Sequence, residues 1–156
     1  MESSSRSAAC INRFVLVGAG LVFTMIGLRY ILDPAQAAAE TGVSLGSALA
    51  ATTTRVGSGA FPLGFALFLF ACLASKRTLL PGVSLVATVV TLAIVVRVIG
   101  TVADGPAAES LRLFIPEGVM LALASAGIFL EVRGRRAAFR ASEVRGFEAA
   151  GKTRSA

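Results

Sequence analysis

The chain is 156 residues long, 55% hydrophobic and only 15% charged, with a mean hydropathy of +0.78; it is too apolar for an ordinary soluble domain and of a size that suits one membrane domain. A formal net charge of +6 would suit a nucleic-acid binder, but the basic residues sit at the N-terminus, at Lys76-Arg77 and after Val132, beside apolar runs rather than along one face, so no nucleic-acid partner is expected. Histidine is absent and the two cysteines, Cys10 and Cys72, lie far apart, which removes the usual ligands of zinc and haem, the usual acid/base side chain and any disulfide framework.

Residues 1–13 are Ser-rich, carry Arg6 and Arg13, and are predicted to be a cytoplasmic leader. Residues 14–32 form the first apolar run, close to the roughly twenty residues that cross a bilayer as a helix. Gly20 and Gly27 lie two helical turns apart on one face, an opening for close packing. Arg29, one turn before the exit, either snorkels to the headgroups or joins a polar cluster. Asp33-Pro34 ends the helix, since proline lacks the amide needed to continue it. The small-residue run from Pro34 to Glu40 resembles a signal-peptidase site, but Arg29 interrupting the apolar run argues against cleavage. Residues 41–54 read as a small-residue loop, either throughout or with a short interfacial helix in part of it.

The second span is predicted over about 55–74. It opens with Arg55 and is dense in small residues at its start, with Arg55, Gly59, Pro62 and Ala66 on one helical face. After the basic turn Ser75-Lys76-Arg77, the third span covers about 79–102 with Arg97 as its only charge. The turn signal Asp104-Gly105-Pro106 follows, and the fourth span covers about 113–132, with Glu117 just inside its start and Gly118, Ala122 and Ala126 as a further small-residue stripe. Residues 133–156 are basic and predicted to be a loose cytoplasmic tail drawn to anionic headgroups, with a partner-binding helix as the alternative.

The fold class that follows is all-α: a four-transmembrane-helix antiparallel bundle, because two of the three connections are short. Counting Lys and Arg in the flanking segments places the leader, the Lys76-Arg77 turn and the tail on one side. A multi-pass protein of the cell inner membrane with both termini cytoplasmic is therefore expected.

This topology gathers the intramembrane charges at the outward ends of the spans. Arg29 and Arg55 sit near the ends of spans one and two. At about 1.5 Å of rise per residue, Arg97 lies roughly 8 Å inside the end of span three and Glu117 roughly 6 Å inside the start of span four. A charge at bilayer depth costs several kcal/mol, so Arg97 and Glu117, at matched depth on two sides of a hairpin, are expected to pair. Arg29, Arg55, Arg97 and Glu117 form the candidate site. It is read either as glue that fixes helix packing or as a pocket for a lipid headgroup or small anion, since arginine offers a planar fork of donors to phosphate and carboxylate. As catalytic machinery the set is weak: no nucleophile elbow, Walker loop or metal signature accompanies it, and no catalytic residue, metal or cofactor is assigned.

These features together resemble a family. The Asp33-Pro34 exit, Arg55 followed by Gly57 and Gly59, Arg97 with Gly105-Pro106 soon after, and Glu117 are similar to the pattern of four-helix bacterial membrane proteins grouped as domain of unknown function 4345, which are DoxX-like. Such families often carry an acidic residue shortly before the span-two arginine; here Thr52-Thr53-Thr54 precede Arg55. The resemblance covers roughly residues 12–133 and implies the fold and the membrane location, with no established activity. The expectation is a non-enzymatic membrane protein whose partners are the bilayer, an anionic lipid or small anion, or another membrane protein. The alternative, by analogy to DoxX-like relatives, is a membrane subunit of a quinone-linked oxidoreductase whose redox centre another chain would bring.

Overall fold

The computed structural model describes residues 2–105 and 108–154, in six helices: α1 (Glu2–Leu32), α2 (Pro34–Ala39), α3 (Ala48–Thr54), α4 (Phe61–Cys72), α5 (Lys76–Asp104) and α6 (Ala108–Arg154). A π-helical turn, Arg55–Ala60, joins α3 to α4 without a break. Among the described residues there is no strand. Four helical stretches are long and apolar enough to cross a membrane: Ala9–Leu32, Ala48–Cys72, Lys76–Ala103 and Phe114–Ala137. Large apolar side chains such as Phe14, Met25, Phe61 and Val102 face outward along them. In water such a surface would aggregate; in a bilayer it is the surface that lipid tails cover. The chain is an all-α multi-pass membrane protein.

Two compact units make up the chain, residues 13–86 and residues 1–12 with 87–156. In the first, α1 and α4 run antiparallel, as their contacts show: residue numbers rise on one helix as they fall on the other. Gly20 packs on the Phe70 ring, Gly27 on Gly59 and Leu63, and Gly59 on Ile31. Phe23 and Phe65 meet edge to face, ring centroids 4.8 Å apart at 86°, in the arrangement aromatic quadrupoles favour. The start of α5 closes on the same layer where Gly82 meets Cys72 and Leu16, with Val83 and Val86 fully buried below it.

Local chemistry explains the ends of these elements. Asp33 leaves the helical region at φ −136°, and its carboxylate accepts the Gln36 N–H at 3.0 Å, so the residue that ends α1 also caps α2, whose first position is Pro34. Ala37 and Ala38 of α2 are buried, which makes the signal-peptidase-like stretch part of the fold. Gly42, at φ +79°, turns the chain as only glycine does without strain. The predicted loop over 41–54 ends early, because Ser47 accepts the Ala50 N–H at 3.1 Å and starts α3 at Ala48, seven residues before the expected span. The threonines that precede Arg55 fit a helix here: Thr52 donates its hydroxyl to the Ala48 carbonyl at 3.0 Å.

In the other unit, Gly105 at φ +94° turns the end of α5 toward α6. Helix α6 continues through the basic segment to Arg154, so the loose tail expected from composition is helical. Its Arg, Glu and Ala content suits a helix, and Arg135 donates to Glu131 one turn before it at 3.0 Å. The stripe Gly118, Ala122 and Ala126 faces outward instead of packing; the buried small residues of this helix are Ala124 and Gly127. Gly127 receives the side chain of Asn12 from α1, which is fully buried and whose amide has no hydrogen-bond partner among the described residues.

Candidate functional site

Arg97 and Glu117 meet edge to edge. The Arg97 Nη2 donates to Glu117 Oε1 at 2.6 Å and its Nε donates to Glu117 Oε2 at 3.2 Å, the bidentate fork that a guanidinium and a carboxylate form. The sequence makes this contact: seven residues separate Arg97 from Asp104, nine separate Ala108 from Glu117, and the turn at Gly105 brings the two helices back alongside each other. The side chains are 23% and 19% exposed, so the pair is mostly withdrawn from its surroundings. Thr101, one turn on, hands its hydroxyl to the Arg97 carbonyl at 2.8 Å, and Pro116 precedes the glutamate inside α6 without ending it. Proline is tolerated at such positions in membrane helices, where neighbours re-satisfy the freed carbonyl.

Arg29 and Arg55 belong to the unit of residues 13–86 and have partners of their own. Arg29, in the last turn of α1, donates through Nη2 to Glu40, just past α2. This ion pair is half exposed and contributes little to stability. The missed signal was Glu40, which α2 carries back toward the end of α1. Arg55 donates through Nε to the Ile31 carbonyl at 3.2 Å, one of the last carbonyls of α1, which no amide of its own helix reaches. The π-helical turn that begins at Arg55 presents Gly59 to Ile31 on the same side, so the close approach of the backbones and the arginine contact are one arrangement. Asp33, close by in sequence, caps α2. The side chains of Arg6, Asp104, Glu109, Arg112, Arg140 and Arg145, and Pro106 itself, lie outside the described residues.

Among the described residues no three Cys, Asp or Glu side chains come together as a metal site. What the arrangement offers is one closed ion pair, one exposed ion pair, and an exposed arginine held by a carbonyl. The sequence of residues 11–132 matches the domain of unknown function DUF4345. The chain belongs to the DUF4345 family. The match ends at residue 132, inside the span Phe114–Ala137, and every residue of the candidate site lies inside the DUF4345 region. No curated protein and no solved structure matches the chain. The spans and the buried charges of this DUF4345 protein are therefore interpreted on their own chemistry.

Proposed function

We propose that the protein is non-enzymatic, lies in the cell inner membrane with both termini cytoplasmic, and binds an anionic group, a lipid phosphate or a carboxylate, at Arg55 on its outward side. The Arg97–Glu117 pair has a different task in this reading: it holds the hairpin of α5 and α6 in register. What supports the division is the bonding of each arginine. Glu117 occupies the Nε edge of Arg97 at two points, and Glu40 neutralises Arg29. Arg55 is exposed and bonded through Nε to a carbonyl, and no carboxylate neutralises it among the described residues. A guanidinium fixed at one nitrogen and uncompensated in charge is a preorganised half-site for an oxyanion.

Purification of the full chain in mild detergent, followed by measurement of retained phospholipid and of thermal shifts with added anionic lipid or acetate, tests this. Arg55→Gln is expected to weaken retention about tenfold, on the order of one charge-assisted hydrogen bond, while Lys76→Gln leaves it unchanged. Equal retention by Arg55→Gln and the parent chain would refute the reading, as would a co-purifying quinone with a redox partner.

A further inference from the structure

A second constellation lies along α6, away from the ion pair. A groove of about 860 Å³ follows this helix, lined by Ser125, Ile128, Phe129, Val132, Arg133 and Arg136. Their spacing of three and four residues puts them on one helical face, over a length of about 16 Å. The face changes character along its length: Ile128, Phe129 and Val132 are apolar, and the two arginines follow at once, where the span Phe114–Ala137 ends. Phe129 is 62% exposed, so the groove is open to whatever surrounds the helix at that depth.

The charges discriminate further. Arg135, between the two groove arginines in sequence, is bonded to Glu131. Arg133 and Arg136 are exposed, and neither is paired with a carboxylate among the described residues. Two arginines three residues apart on a helix are neighbours, close enough for both forks to reach one phosphate. We propose that this groove binds one anionic glycerophospholipid, its acyl chain lying along Ile128, Phe129 and Val132 and its phosphate between Arg133 and Arg136. A soluble anion would satisfy the arginines and leave the apolar half bare; a hydrocarbon chain alone would do the reverse. A zwitterionic lipid brings its own ammonium group to the same place and offsets the attraction. The site is separate from the one at Arg55 and stands or falls without it.

The test uses the full chain released into mild detergent and read by native mass spectrometry. Phosphatidylglycerol and phosphatidylcholine of equal chain length are added in equal amounts. The parent chain is expected to retain the phosphatidylglycerol about thirtyfold over the phosphatidylcholine, as two basic residues at a membrane surface would give. Arg135→Gln keeps that preference, the double variant Arg133→Gln/Arg136→Gln falls to the phosphatidylcholine level, and millimolar inorganic phosphate does not displace the lipid. Because all three residues are exposed, loss of folding is an unsuitable explanation for a difference among the variants, and thermal unfolding of each confirms this. Equal retention of the two lipids, phosphatidylglycerol retained by the double variant, an equal loss in Arg135→Gln, displacement by phosphate, or a protein partner found in place of lipid would each overturn the proposal.

Discussion

A guanidinium that meets a carboxylate through two N–H groups fixes both planes at once, and the Arg97–Glu117 contact does so at a depth where each charge alone is costly. Interhelical polar contacts in membranes are modest when measured as couplings, on the order of 0.6 kcal/mol and reaching about 1.7. Breaking one side of a buried pair is a larger effect, about 3–5 kcal/mol in soluble proteins, because the survivor is left uncompensated. Arg97→Leu or Glu117→Leu alone is therefore expected to lower the thermal midpoint in detergent clearly, and the double substitution to recover most of the loss. The decisive comparison is the double-mutant cycle: a double variant that falls by the sum of the singles shows two independent residues. Asn12 is the opposite case at this scale. Its buried amide, packed against Gly127, has no partner among the described residues, an arrangement that costs about 1–3 kcal/mol.

At the scale of elements, helix contact in this protein depends on missing side chains. A methyl group on Gly27 would come within 2.8 Å of the Gly59 carbonyl oxygen and 2.9 Å of the Leu63 amide nitrogen. Both are backbone atoms of the neighbouring helical segment and cannot rotate away. Gly27→Ala must push α1 from the Gly59 turn, and overpacking of this kind costs about 1–3 kcal/mol. Gly18, on the same helix, has nothing within 4 Å of the equivalent position, and alanine there gains helix propensity of up to about 1 kcal/mol. Thermal unfolding of the two variants side by side should show a fall for Gly27→Ala and no fall for Gly18→Ala. Equal changes would mean that the glycines of α1 act through backbone propensity alone. The π-helical turn lies at the same contact: the Phe61 amide reaches back to the Val56 carbonyl, and Arg55 at the start of this wider turn meets the end of α1.

For the whole molecule, the question is which face of the membrane each connection occupies. With four spans, the Lys76-Arg77 turn and the α5–α6 turn fall on opposite sides, and the proposed orientation, which rests on the excess of Lys and Arg, has the former in the cytoplasm. Reporter fusions after Lys76 and after Asp104 should then report the cytoplasm and the far side respectively. Two fusions reporting the same side would remove one span from the scheme. A swap, with both signals inverted, would keep the spans and reverse the orientation.

Much of this architecture is written in the sequence, for a reason particular to membranes: a helix that crosses hydrocarbon needs about twenty apolar residues. Four such runs therefore announce themselves, and Asp33-Pro34 marks the end of the first. The matched depth of Arg97 and Glu117 on either side of a short turn is readable in the same way, because rise per residue converts sequence position into depth. What the sequence does not carry is the face of each helix. A soluble helix shows its buried side by its apolar stripe, but here lipid and protein interior are equally apolar, and small residues mark only where a neighbour is able to approach. Gly118, Ala122 and Ala126 were as good a candidate stripe as Gly20 and Gly27, yet the first faces outward and the second packs. The pairing of Arg29 with Glu40 and the burial of Asn12 against Gly127 were likewise settled by tertiary structure. Each of these depends on which backbone comes near, and in a uniformly apolar chain that is decided by three-dimensional fit, which no periodicity along the sequence records.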